Sequence, residues 1–392
     1  MTYTTNKFER ESKNVKVMDT TLRDGEQNPL CTMFVSDKYN IAKKLEELSV
    51  DIIEVGFAAS KLHPKTMGAI AGMVKQPYLC GLSRAMEKDV DSTFEVYKNY
   101  DKRMIHIFLP TSDIQVNAKL KKSEQELIDI SARIVRYASK LFPIVEFTAE
   151  DATRSDLEFL RKIYTVAIDN GASVLNVADT VGCADPDYFG DLVRKIKEIT
   201  YEKNPMTKVS VHCHNDLGLA WANTLAGIKN GADQIECTIL GIGERAGNCS
   251  LEQAVAYTTI HPKIFRTNVK SEKLYGAALA VKKAISLAGP PVPVVGETSF
   301  SHKSGIHQHG QNNNSRAYEA LNPTDFGRAS EIAIGPSSGY HGVIELAKNN
   351  GYEISKEQAA TIIDEIAGFV EREEQRIFFN EEVIEMIRRK FS

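Results

Sequence analysis

Lys208-Val209-Ser210-Val211-His212-Cys213-His214-Asn215-Asp216-Leu217-Gly218 is the stretch on which the fold turns. It opens with the β-branched residues of a strand and runs into polar residues and a glycine. Side chains alternate faces along a strand, so His212 and His214 project to one side and Cys213 to the other. Two imidazoles at that spacing can share one metal ion. With a third, oxygen ligand and an open coordination position, such a site is catalytic rather than structural. The oxygen is expected from Asp19-Thr20-Thr21-Leu22-Arg23-Asp24-Gly25-Glu26-Gln27, which follows another strand-like run, Val15 to Met18. A lone His-x-His is equally compatible with two hydrogen-bonded strand histidines, so the surrounding chain has to decide.

Outward from this stretch, short β-branched runs alternate with helical patterns from residue 15 to about 260. Strands are predicted at 15–22, 51–57, 77–83, 104–110, 144–148, 173–178, 208–213 and 234–240. Ser36 to Leu48 carries Tyr39, Ile41, Ala42, Leu45 and Leu48 at helical spacing. Ser123-Glu124-Gln125-Glu126 reads as a capping box opening a helix to about Ser139. Pro186 after Asp185 suits a first helical turn, and Gly171 and Gly231 fit as helix stops. Eight strands alternating with helices over about 250 residues predict an α/β fold, a parallel (β/α)8 TIM barrel. A doubly wound open sheet is the alternative, but no G-x-G-x-x-G follows the first strand. Barrel chemistry sits at the carboxyl ends of the strands. There the sequence places Arg23 and Asp24, Glu54, Arg84, His106 and Thr111, Glu150 and Asp151, Asp179 and Thr180, the histidine pair, and Gly243-Glu244-Arg245-Ala246-Gly247-Asn248. That collection suits a small, anionic, oxygen-rich substrate on a metal.

Domain boundaries are expected at 1–265 for the barrel, 266–323 for a linker and flap, and 324–392 for a helical C-terminal region. Ser271 to Leu287 looks helical, and Ala288 to Pro293 breaks it and starts the linker. The 392 residues are 42% hydrophobic and 26% charged, with a net charge of −4, which describes a soluble globular protein without a nucleic-acid footprint or a polybasic membrane face. No stretch approaches the ~20 apolar residues that span a bilayer, and Met1 to Lys16 lacks the apolar core of a signal peptide. Six cysteines, at 31, 80, 183, 213, 237 and 249, form no C-x-x-C pair and point to a reduced, cytoplasmic chain.

The sequence resembles the Claisen-condensing, metal-dependent acyltransferases with a barrel core: the 2-isopropylmalate, homocitrate and citramalate synthases. The resemblance rests on Asp19 to Gln27, Glu54-Val55-Gly56-Phe57, His212 to Gly218, Gly241 to Asn248, and Ser304-Gly305-Ile306-His307-Gln308, in that order. It implies condensation of acetyl-CoA with a 2-keto acid on a divalent ion (Mn, Mg or Zn), followed by thioester hydrolysis. Carried onto matching positions, it implies Asp24, His212 and His214 as metal ligands, with Asn248 a fourth or supporting partner. Arg23 would stand beside the keto oxygen. Glu150 and Thr180 would line the keto-acid pocket; Glu54 and His106 are read as further substrate contacts, and His307, with Tyr318 or Glu150, as the catalytic proton relay. In this family His307 and Tyr318 come from a partner subunit, which implies a homodimer with a swapped arm. Gly305 to Gln308 and Gly241 to Ser250 look most like the 2-isopropylmalate synthases of leucine biosynthesis, whereas Ser112 to Gln115 and Ala178 to Thr180 resemble the homocitrate synthases. A chain ending at 392 is expected to lack a leucine-sensing domain and to respond little to leucine.

Plainer readings stand beside these. Asp24 also suits a turn before Gly25, Arg23 an ion pair with Glu54 or Glu244, Asn248 a helix cap, and His106 a hydrogen-bonded core position. Glu150 and Asp151 compete for one place. His302 and His309 read as loop residues and Asp24 as a solvent-facing strand end. Ala58-Ala59-Ser60, Leu109 and Pro110 are expected to shape the side-chain pocket. A lyase of the same superfamily would carry a reactive cysteine in the loop 241–248, which has none. A carboxyltransferase would carry a metal-site lysine, and none stands out at the strand ends.

Overall fold

In the computed structural model, residues 12–29, 31–60, 63–285, 298–326, 329–336, 338–375, 378 and 380–391 are described. The run Ala288 to Pro293 lies outside them. Eight parallel strands close into a barrel. They are β1 (Lys16–Asp19), β2 (Ile52–Phe57), β3 (Tyr78–Arg84), β4 (Arg103–Pro110), β5 (Ile144–Glu150), β6 (Val174–Asp179), β7 (Lys208–Cys213) and β8 (Gln234–Cys237), with β1 pairing both β2 and β8. Each predicted strand is present. The first and last are shorter than expected because the chain turns at Thr20 and Thr238 to build the mouth of the barrel.

Helices α1 (Val35–Glu47), α2 (His63–Met73), α3 (Glu87–Tyr97), α4 (Asp113–Lys119), α5 (Glu124–Ala138), α6 (Leu157–Asp169), α7 (Pro186–Lys203), α8 (Ala220–Lys229), α9 (Leu251–Ile260) and α10 (Leu274–Ala284) surround it. Their ends follow the sequence signals. Ser123 Oγ accepts the Glu126 N–H while Glu126 accepts the Ser123 N–H, forming the expected capping box. Asp185 caps α7 ahead of Pro186, and Gly171 and Gly231 end helices at φ of +106° and +117°.

Strand parity divides the barrel. Odd-numbered residues such as Ile53, Ile105, Ile107, Leu109, Phe147, Val177, Val209 and Val211 pack outward in the main core under the helices. Even-numbered neighbours face the barrel axis. At the amino-terminal end these are apolar, with Met18, Ile52, Cys80, Met104 and Val174 in one cluster. Nearer the mouth they are polar, where His106 pairs in register with Glu146 and Thr148 with Asn176. The barrel is thus plugged below and reactive above.

After the barrel come α11 (Gly305–Asn313), α12 (Tyr340–Asn349), α13 (Lys356–Glu371) and α14 (Asn380–Phe391). The last three enclose their own core around Val343, Ile362, Ile366, Val383 and Ile387. The segment carrying α11 lies on the barrel mouth. Asn313 donates to the Ala118 carbonyl (2.9 Å) and Gln115 to the Ala317 carbonyl (3.0 Å), joining it to α4. The buried Lys303 ammonium reaches the Glu26 carbonyl (3.3 Å), the Cys31 carbonyl (2.5 Å) and Thr32 Oγ1 (3.0 Å) in the β1–α1 loop. Among the described residues no helix is long and apolar enough to cross a membrane.

Candidate active site

A cavity opens at the carboxyl ends of the strands, and the inward parity decides what lines it. Arg23, Asp24, His106, Glu150, Thr180, His212 and His214 face it, as do Leu82, Phe108, Ala178 and, from α11, Ile306 and His307. Leu109 points into the outer core, with Ala58, while Ser60 accepts the His63 N–H. Leu109 and Ala58, two of the residues expected to shape the side-chain pocket, are therefore on the wrong face. Counting by two from His106 leads to Phe108 instead.

Asp24 Oδ2 stands 3.4 Å from His212 Nε2 and 3.7 Å from His214 Nε2. The expected solvent-facing aspartate is in fact 1% exposed, because the glycine-rich loop closes over it. Its Oδ2 accepts no hydrogen bond among the described residues. Arg23 Nη1 lies 3.1 Å from that oxygen without hydrogen-bond geometry, and two histidine nitrogens converge on it, so it is placed to take an ion or water as well. Burial pushes the Asp24 carboxyl up, but Arg23, His214 and His212 outweigh it and hold it well below the usual range. His212 Nδ1 is 3.0 Å from Glu236, and His214 Nδ1 is 3.1 Å from the Gly247 carbonyl, so both Nε2 atoms are aimed at the centre. Burial keeps the His214 imidazole neutral, the form that ligates.

Asn248 completes the set. Thr238 Oγ1 lies 2.7 Å from the Ile242 carbonyl and 2.8 Å from the Asn248 side-chain amide. One hydroxyl proton cannot serve two acceptors, and with the amide oxygen toward Thr238 the Asn248 nitrogen is buried without a partner among the described residues. Turning the amide about lets it donate to Thr238 and present its oxygen to the centre. Asn248 does not cap α9, whose N-cap is Ser250. The loop approaches so closely that a Cβ at Gly243 would lie 2.9 Å from the Asn248 amide and 3.1 Å from Asp24 Oδ1. Two imidazoles, a carboxylate and an amide oxygen fit a divalent cation.

Arg23 is held rigidly beside this set. Its Nε donates to Glu54 (2.5 Å) and its Nη1 lies 3.1 Å from Asp24. Glu54 also faces His106 Nδ1 at 2.8 Å, and His106 Nε2 is 2.5 Å from Thr148 Oγ1. Burial opposes charge on both, yet the coupling to Arg23 and His106 brings Glu54 down to about 2, and Glu54 takes His106 up to about 9. Glu54, read from the sequence as a substrate contact, does not reach the cavity. It is the buried counter-charge that orients Arg23 and His106.

The competition between Glu150 and Asp151 is resolved by geometry. Glu150 faces the cavity. Asp151 has left-handed backbone (φ 65°) and turns away to Arg154 and Ser112. Thr180 Oγ1 accepts the Asp151 N–H (2.8 Å), which leaves the Thr180 proton available to the cavity. Asp179 staples its loop through Thr153, Ala184 and Asn223.

From the arm, His307 stacks on Tyr318 with ring centroids 3.9 Å apart. Burial, with Arg245 and His302 nearby, keeps His307 neutral. Tyr318 does not line the cavity and lies one layer behind, donating to Glu150 Oε1 at 2.9 Å. His302, expected in a loop, is fully buried in a two-residue strand that pairs with Glu331–Ile332, its Nε2 3.0 Å from Glu319. The strand pairing pulls it inward. Glu244 accepts the Ser304 N–H (2.7 Å) at the start of α11, and burial lifts its carboxyl to about 8. Cys249 is buried with its sulfur 3.6 Å from that of Cys237. Sequence reading missed Glu236 and Lys119. Glu236 was recoverable from parity with His212, whereas Lys119 carries the pattern of a solvated helix-end lysine.

With this geometry in place, three comparisons bear on it. The HMGL-like family profile matches residues 14–281, and a homocitrate synthase post-HMGL domain-like profile matches residues 294–374. A 2-isopropylmalate synthase of Dictyoglomus turgidum is 43% identical over 348 residues, covering 87% of this chain and 68% of that protein. One of Sulfurisphaera tokodaii is 40% identical over 376 residues, covering 94% of each. Among solved structures, hydroxymethylglutaryl-CoA lyase from Pseudomonas aeruginosa matches 71% of this chain and 96% of that chain with a TM-score of 0.61 at 18% identity. The carboxyl transferase domain of Rhizobium etli pyruvate carboxylase matches 94% of this chain and 62% of that chain with a TM-score of 0.56 at 16% identity, a likeness of fold.

Proposed function

The chain belongs to the HMGL-like family, and on that premise we propose that it joins acetyl-CoA to 2-ketoisovalerate and releases 2-isopropylmalate and CoA. The observation that carries the reading is the convergence of Asp24, His212 and His214 beside a guanidinium anchored on the buried Glu54. A divalent ion held by Asp24, His212, His214 and Asn248 would supply Lewis-acid polarisation of the keto acid. Arg23 stabilises negative charge as the keto oxygen becomes an alkoxide. Thr180 offers its proton to the substrate carboxylate. His307, neutral and facing the cavity, takes the methyl proton of acetyl-CoA, with Glu150 and Tyr318 beside it as the onward relay. The new C–C bond joins that methyl carbon to the keto carbon. Water then cleaves the C–S bond of the thioester.

Leu82, Phe108, Ala178 and Ile306 on the cavity wall suit the isopropyl group of 2-ketoisovalerate. The 2-ketoglutarate used by homocitrate synthases carries a second carboxylate, and among the described lining residues the remaining cation, His106, is already paired with Glu54. Among keto acids with apolar side chains, which differ by a methylene or two, wall contacts discriminate by only about 1–3 kcal/mol.

The test is CoA release from acetyl-CoA with a panel of 2-keto acids, with and without chelator. Chelator-sensitive turnover preferring 2-ketoisovalerate is expected. Preference for 2-ketoglutarate or pyruvate would reassign the substrate, and no release with any would remove the condensation. Asp24→Asn should abolish turnover and metal uptake while leaving the circular dichroism unchanged.

A further inference from the structure

Lys119 is the last residue of α4, and its side chain is only 6% exposed. Its ammonium lies 2.7 Å from Glu150 Oε2, 2.7 Å from the Tyr318 oxygen and 2.9 Å from Gln115 Oε1. A lysine ammonium has three protons and accepts nothing, so three acceptors fill it. Tyr318 must therefore accept from Lys119, and its own proton is directed to Glu150 Oε1 at 2.9 Å. The lysine thus fixes the hydroxyl rotor. It also sits 4.9 Å from the centre of the Tyr318 ring, on which His307 stacks.

We propose that Lys119 is a positioning residue for proton transfer: it pairs with the Glu150 carboxylate, aims the Tyr318 hydroxyl at it, and so sets the plane of the His307 imidazole. The inference rests on the condensation reading and deepens it. Docking of the arm does not rest on this lysine alone. The contacts from Asn313 to Ala118, Gln115 to Ala317 and Arg154 to the carbonyls of Arg316 and Ala317 already join the arm to the barrel. Those contacts reach the backbone, whereas Lys119 touches side-chain polar atoms of Gln115 and of two proposed relay members. Taking an ammonium out of water is costly unless it is fully partnered, and here every partner is placed for it.

The experiment compares Lys119→Met and Lys119→Arg with the wild type, measuring kcat, KM for both substrates and the pH profile of kcat. Lys119→Met should lower kcat roughly 100-fold, the low end of what a positioned proton-transfer group contributes, with KM for the keto acid unchanged. Its acid limb should move to higher pH, because a carboxylate has lost its neighbouring cation. Lys119→Arg should restore the limb but not the full rate, since a planar fork cannot meet three acceptors from one point. If Lys119→Met does not fold, Lys119→Arg alone decides, by a lowered kcat on an unmoved limb. Wild-type kcat in either variant overturns the proposal, as does a rise in both KM values at unchanged kcat, which is loose docking. A wild type that releases no CoA removes the functional reading itself.

Discussion

At the scale of single residues, buried charge pairs set both geometry and pH response. Glu54 and His106 illustrate the signs. His106 is raised from 6.5 to about 9, so its contribution to stability is complete below 6.5 and lost as pH climbs through 9. Glu54 is lowered from 4.5 to about 2, so its contribution is complete above 4.5 and lost as pH falls through 2. The pair is therefore fully stabilising between about 4.5 and 6.5. The melting temperature of His106→Gln should fall furthest below wild type near pH 6 and approach it above pH 9. A gap that does not vary with pH would show that the pair's charges contribute nothing. These partners were hidden in the sequence because a buried glutamate and a solvated one are spelled alike.

At the scale of elements, α11 is the piece whose packing matters to chemistry. It approaches Tyr318 so closely that a Cβ at Gly310 would lie 2.6 Å from the ring, with Lys119 3.5 Å away. Gly310→Ala should displace the tyrosine ring from its stacking on His307 and lower kcat, while the metal content, set by strand ends elsewhere, stays at the wild-type level. Normal turnover would mean that the ring has room to yield. The strands and the capping box at Ser123 were legible because periodicity and capping act over a few residues. The burial of His302 was not, since it depends on pairing with Glu331–Ile332, some 30 residues on.

At the scale of the whole molecule, the arm lies on its own barrel in a single chain, and residues 286–297, which join the two, are outside those described. Exchange of the arm between two copies of the chain would preserve the same contacts, and we carry that arrangement forward as a proposal. It predicts complementation. Asp24→Asn and His307→Ala, each inactive alone, should recover activity when unfolded and refolded together, because one site of a mixed dimer would be intact. No recovery would mean that each arm serves its own barrel.

The sequence by itself determined the barrel, its strand ends and the group of residues destined for the mouth, because a period of two and helix signals are local properties of the chain. Asp24, His212 and His214 were readable in this way. Only the tertiary structure decided what backs the site: Glu236 behind His212, Glu54 rather than Glu244 behind Arg23, and Lys119 behind Glu150 and Tyr318. Such partners meet across tens to hundreds of residues when the barrel closes and the arm docks. Their charge states follow from burial and from one another, which no local pattern records.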